Sequence, residues 1–141
     1  MDDTALTEAI ARGLERWYAL LGRQFGPLSR PQRRVLAIVS GSDEVRVGEV
    51  AERIGMTMAG ATRMVDTLEA LGYLRRVRLP DADQRQVYLA VTPAGIDALR
   101  EANDIFLQRV RATLVALDPA ERATLARLLG AIDATEAPQR L

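Results

Sequence analysis

Cysteine, histidine and lysine are all absent from this chain. Without thiols there is neither a disulfide framework nor a thiol redox switch, and without imidazole the commonest general base and metal ligand is missing. Zinc sites of the usual ligand types go with them. No phosphate-cradling glycine loop and no GxSxG elbow occurs, so no recognised catalytic motif is present. The expectation is a binding protein, not an enzyme, with no cofactor and no metal. No apolar run approaches the roughly 20 residues that span a bilayer. The first ten residues, MDDTALTEAI, are acidic where a secretory signal is basic, so the expected location is cytoplasmic and no membrane partner is expected.

The 141 residues suit one domain with a modest core, and 48% hydrophobic with 27% charged is ordinary globular composition. Nineteen basic residues, all Arg, balance nineteen acids to a net charge of zero. The balance is uneven along the chain. Residues 30–92 hold ten Arg against eight acids, and the flanks hold nine against eleven. The Arg-only basic set is equally what a GC-rich genome produces. Arg forks nevertheless suit phosphates and guanine edges, which places the basic surplus where a nucleic acid would be read.

The most informative stretch is VGEVAERIGMTMAGATRMVDTLEALGYLRR, Val47 to Arg76. Val47, Val50, Ala51 and Ile54 fall at i, i+3, i+4 and i+7, and Ala61, Met64, Val65 and Leu68 repeat the spacing. Two short amphipathic helices are predicted, with Gly55 freeing the turn and Thr57 capping the second. That is a helix-turn-helix. Ala59, Thr62, Arg63 and Asp66 occupy the opposite face of the second helix, small or polar groups of the kind that enter a major groove. Beyond it Val77, and then Val87, Leu89 and Val91, alternate with Arg78, Gln86, Tyr88 and Ala90 as in two half-buried strands. The link from Pro80 to Gln86 is polar, so a β-hairpin with a charged tip follows the second helix. Together these elements predict a winged helix.

Those residues resemble the MarR family of bacterial transcription regulators, and the likeness covers nearly all of the chain. LSRPQRRVLAIV from Leu28 is similar to the family's second helix, IGMTMAGATRMVDTLEALGYLRR from Ile54 to its recognition helix, and DADQRQVYLAVTPAG from Asp81 to its wing. Family wings carry an Asp followed by two Arg; Asp83 and Arg85 match, and Gln84 stands where the first Arg is usual. The resemblance implies a mainly α fold with a small β-hairpin wing, a winged helix-turn-helix flanked by N- and C-terminal dimerisation helices. Within the single domain 1–141, residues 29–92 would form the DNA-binding lobe, and 1–28 with 93–141 the helical dimerisation lobe.

The flanks supply the helices. Thr92-Pro93 is an N-cap followed by Pro at the first helical position, predicting a helix to about Leu117, and Asp118 to Glu121 restarts one with a capping box. Leu6, Ile10, Leu14, Trp17 and Leu21 form an apolar stripe near the N-terminus, and Leu125, Leu128, Leu129 and Ile132 another near the C-terminus. A winged-helix core of roughly 60 residues is too small to bury both, so a homodimer through the chain ends is expected, and repression is the family's commoner mode.

Double-stranded DNA is the expected partner, read by two recognition helices on a palindromic operator with half-sites roughly 34 Å apart. Thr62 and Arg63 are the candidates for base edges, with phosphate the alternative for Arg63. Met58 and Ala59 would meet thymine methyls, unless Met58 fills core. Asp66 contacts DNA or pairs with an Arg of its own surface. Arg85 would enter the minor groove with Asp83 orienting it, and Arg30 and Gln32 would touch phosphates. The resemblance further implies a small aromatic or anionic effector bound between the lobes. Arg16, Trp17, Tyr18 and Asn103 are candidate lining residues, with core for Trp17 and dimer register for Asn103 as the alternatives. A winged-helix protein-interaction module without DNA binding is the other functional reading.

Overall fold

A computed structural model describes residues 2–78 and 86–133. Helix α1 (Asp3–Leu21) leads into a miniature hairpin, β1 (Gln24–Phe25) and β2 (Leu28–Ser29). Then come α2 (Arg30–Ser40), α3 (Val47–Ile54), α4 (Met58–Ala70), β3 (Leu74–Val77), β4 (Tyr88–Val91), α5 (Pro93–Thr113) and α6 (Pro119–Asp133). This is the mainly α fold with a small antiparallel wing expected from the sequence. Among the described residues no helix is long and apolar enough to cross a membrane.

Each reading helix is punctuated by the residues that the sequence singles out. Gly55 sits at φ +80°, the left-handed conformation that lets α3 stop and the chain turn within three residues. Thr57 then accepts a bond from the Gly60 N–H at 3.0 Å and starts α4. The inward faces of α3 and α4 bury Val50, Ala51, Ala61, Val65 and Leu68. They pack on Leu28, Val35, Leu36 and Val39 from β2 and α2, and on Leu74 and Leu89 from the wing. Phe25, Leu99 and Ala102 extend this core to α5, so one core joins the reading helices to the long C-terminal helix.

β3 and β4 pair antiparallel with Leu74 opposite Val91 and Val77 opposite Tyr88, and a single bridge from Val45 to Leu89 adds a third edge. Thr92 ends the wing and caps α5, accepting from the Gly95 N–H at 3.0 Å. Its own N–H reaches the Tyr73 carbonyl at 3.0 Å and ties α5 to the end of the α4–β3 turn.

Four details depart from the sequence reading. The hairpin Gln24–Ser29 interrupts a stretch read as helical, because Gly26 at φ +60° followed by Pro27 reverses the chain. Ser29, not read as a cap, begins α2 with a full capping box: its N–H donates to Gln32 Oε1 at 2.8 Å and its hydroxyl accepts from the Gln32 N–H. Tyr88, assigned to the polar side of its strand, is buried, because the Arg46 guanidinium lies 5.3 Å from its ring centre and covers it. The long helix ends at Thr113, not Leu117. There the Leu114 N–H bonds to both Val110 and Arg111 carbonyls, and the chain tightens into a 3-10 turn, Leu114–Ala116. The Asp118–Glu121 box then starts α6 with bonds of 3.0 and 2.9 Å.

Candidate nucleic-acid interface

The outward face of α4 carries Met58, Ala59, Thr62, Arg63 and Asp66, all exposed, with Met58 56% accessible and not part of the core. The first turn of α4 contains no acidic residue, so the partial positive charge of its N-terminus is left uncompensated toward an anionic partner. Asp66 is engaged within the protein. Arg76 on β3 donates to Asp66 Oδ1 at 2.6 Å and to Glu69 Oε1 at 2.8 Å, and its backbone N–H also reaches Glu69 at 3.3 Å. The side-chain bond to Asp66, with help from Glu69, raises the Arg76 pKa above its ordinary value. This clamp neutralises two carboxylates that would otherwise repel phosphates beside Arg63, and it fastens the reading helix to the wing. Pairing of Asp66 with an Arg of its own surface was one of the two sequence readings; that the partner is Arg76, and that Glu69 shares it, was not foreseen. The clamp's only trace in the sequence is two acids three residues apart on one helix, followed by an Arg-Arg pair.

The wing is anchored from a second side. Arg46, the residue before α3, donates to the Tyr88 hydroxyl at 3.3 Å, and that hydroxyl donates to Gln86 Oε1 at 2.8 Å. Asp83, Gln84 and Arg85, the predicted wing-tip residues, lie outside the described residues.

Arg30 and Gln32, predicted to touch phosphates, have local partners. Gln32 completes the capping box, and the Arg30 guanidinium stacks 3.4 Å from the Tyr18 ring centre while donating to the Tyr18 and Gly22 carbonyls. Of the four residues assigned to an effector pocket, three are consecutive on α1, and Trp17, Tyr18 and Asn103 each have a partner within the chain. Arg16 is exposed on α1, and the Trp17 indole donates to Thr113 Oγ1 at 2.8 Å. Tyr18 lies under Arg30, while Asn103 Oδ1 accepts from Arg33 at 3.0 Å. Arg33 was not singled out by the sequence. Its guanidinium packs 4.2 Å from the Phe106 ring centre, its Nε is buried without a hydrogen-bond partner, and burial followed by the nearby Arg34 and Arg30 charges lowers its pKa. A pocket of about 460 Å³ opens beside Tyr18, Arg23, Gln24, Ser29, Arg30 and Pro31.

On α1, Leu6, Ile10 and Leu14 are exposed, the last two at 63% and 61%. Leu128, Leu129 and Ile132 on α6 are exposed as well, and Leu125 is half-buried.

Residues 27–86, the span from the miniature hairpin to the wing, match the model of the MarR family. This segment, with the reading helices and the first strand of the wing, is similar to the MarR family of transcription regulators. The chain is 25% identical over 117 residues to YfiV, an uncharacterised HTH-type transcriptional regulator of Bacillus subtilis, an alignment covering 83% of this chain and 69% of that one. Among solved structures it is similar to RV1404 of Mycobacterium tuberculosis, at 23% identity over 99% of both chains and a TM-score of 0.77. BpsR of Bordetella bronchiseptica matches at 24% identity over 92% of this chain and 94% of that one, with a TM-score of 0.72. FabT of Streptococcus pneumoniae, solved in complex with DNA, matches at 20% over 93% and 94%, with a TM-score of 0.67. At such identities the structural likeness is one of fold. The outward face of α4 in this chain is therefore what carries the functional reading.

Proposed function

We propose that this chain is a transcription regulator of the MarR family that binds double-stranded DNA as a homodimer on a palindromic operator and represses by occluding it. The observation that carries the reading is the outward face of α4. Thr62 and Arg63 project from a helix whose N-terminus is capped and free of acids, and Arg76 holds the neighbouring carboxylates. Arg63 is the base-reading candidate and Thr62 its neighbour, with Met58 and Ala59 offering apolar contact. The DNA complex of the similarly folded FabT supports this use of the fold.

Dimerisation is supported by the exposed apolar residues of α1 and α6, which a single copy leaves in water. Leu6, Ile10 and Leu14 recur at intervals of four, one stripe along one face. Release by a small aromatic or anionic effector is supported by BpsR, whose DNA binding is regulated by 6-hydroxynicotinic acid, and by the open pocket beside Tyr18 and Arg23.

The test is fluorescence anisotropy on DNA upstream of the chain's own coding sequence, across a salt series. Affinity is expected to fall linearly in log salt, and Arg63→Ala to lose roughly 1–3 kcal/mol while relaxing sequence preference. Binding no better than to random DNA, there and at operators selected from a random library, would overturn the reading in favour of a protein-interaction module.

A further inference from the structure

At the C-terminal end of α1 the Gly22 N–H bonds the Ala19 carbonyl at 3.3 Å, and the last turn contains no basic residue to meet the carbonyls that remain. Two guanidinium groups arrive from elsewhere. Arg30, the first residue of α2, donates to the Tyr18 carbonyl at 3.0 Å and to the Gly22 carbonyl, with its plane over the Tyr18 ring. Arg109 on α5 donates to the Leu21 carbonyl at 3.1 Å and the Gln24 carbonyl at 2.7 Å. Three residues beyond Arg30 on α2, Arg33 grips Asn103 and Phe106 on α5.

Arg109 joins two elements of the same helical scaffold, α1 and the hairpin beside it to α5. Arg30 does something different: it crosses from the first turn of the helix that leads into the reading lobe onto the negative end of α1. A fork held by two carbonyls and a stacked ring has little rotational freedom, and it acts at the point where the chain passes from scaffold to reading lobe.

We infer that Arg30 is a positioning residue, whose lock on the end of α1 fixes the angle of the reading lobe against the helical scaffold and thereby the operator spacing the protein accepts. The lock is within one chain. Only its consequence for operators rests on the proposed two-headed function, so the two are measured separately.

The absence of cysteine makes the first measurement clean. Spin labels on Ala11→Cys of α1 and Ala70→Cys of α4, both exposed positions, report the scaffold-to-head distance by pulsed electron resonance, with labelled protein diluted in unlabelled. The expected result is a narrow distribution with Arg30 present and one about twofold broader in Arg30→Met, which keeps the stem and loses the fork. Arg30→Lys, which returns a cation to the carbonyls, should fall between. An unchanged width in Arg30→Met overturns the lock. Should Arg30→Met fail to fold by circular dichroism, Tyr18→Leu, which removes the ring and leaves α2 intact, must broaden the distribution, and an unchanged width there overturns it equally.

The second measurement uses operators with half-site spacing altered by one base pair. Intact protein should lose affinity about tenfold and Arg30→Met less than about threefold, relative to each protein's best spacing. A uniform loss at all spacings would make Arg30 a plain phosphate contact and overturn the positioning role. Failure of the unsubstituted protein to bind any operator would sink the proposed function and leave the distance measurement to decide the lock.

Discussion

Substituting Gly95 by alanine sets two known effects against each other. Gly95 lies in the first turn of α5, where helix propensity alone favours alanine by roughly 1 kcal/mol. The packing opposes it. A Cβ at this position would lie 2.1 Å from the Tyr73 carbonyl oxygen, 2.9 Å from its carbon and 2.7 Å from Val91 Cγ1. The first distance is more than an ångström inside the ~3.5 Å of ordinary contact. The obstacle is backbone, and it is held in place, since the same Tyr73 carbonyl accepts the Thr92 N–H. Relief requires α5 to lift, which strains the bond from the Gly95 N–H to the Thr92 hydroxyl. Overpacking costs roughly 1–3 kcal/mol and a weakened cap about 1 more, so the net expectation is a loss of about 2 kcal/mol, or roughly 7 °C in Tm for a chain of this size. Urea unfolding followed by circular dichroism at fixed protein concentration measures it. Gly48→Ala is the control: it lies in α3 with only Met58 Sδ at 3.8 Å, and should stabilise by about 0.5 kcal/mol. A neutral or stabilising Gly95→Ala would refute the claim that α5 is seated directly on the base of the wing.

Three further substitutions probe other joints. Thr57→Ala removes the hydroxyl that receives the Gly60 N–H, and should cost about 1 kcal/mol in urea titrations and weaken operator binding in proportion to fraying of α4. Thr113→Val leaves the Trp17 indole N–H without its acceptor; a loss of about 1 kcal/mol is expected, with a changed emission maximum from the chain's single tryptophan. Ile10→Glu places a charge in the exposed stripe of α1. Sedimentation should then show one copy where the unsubstituted protein shows two, and an unchanged dimer would move the interface away from α1.

The reading lobe was legible because its signals are local. Gly55 and Thr57 act within one turn of helix and each apolar stripe within about two, and a sequence displays such spacings directly. The hairpin at Gln24–Ser29 was not legible, since strands of two residues are too short for alternation to register. Arg30 and Arg76 show a deeper limit. A sequence gives the charge but not the direction in which a long side chain turns, and here both turn inward, toward helix-end carbonyls in one case and carboxylates in the other. Tyr88 was misplaced for the converse reason, because a side chain far along the sequence, Arg46, covers a face that strand periodicity assigns to water.

The borrowed caps at the end of α1 also bear on how the molecule is made. A nascent chain emerges from its N-terminus, so α1 leaves the ribosome first, yet Arg30 follows the Tyr18 carbonyl it binds by 12 positions and Arg109 follows the Leu21 carbonyl by 88. The cap on the final turn of the first helix is therefore completed in two stages, by Arg30 early and by Arg109 only when most of the chain has been synthesised. Amide protons of that turn should reach full protection from exchange with solvent in the same step as those of α5, which makes the oldest part of the protein among the last to be finished.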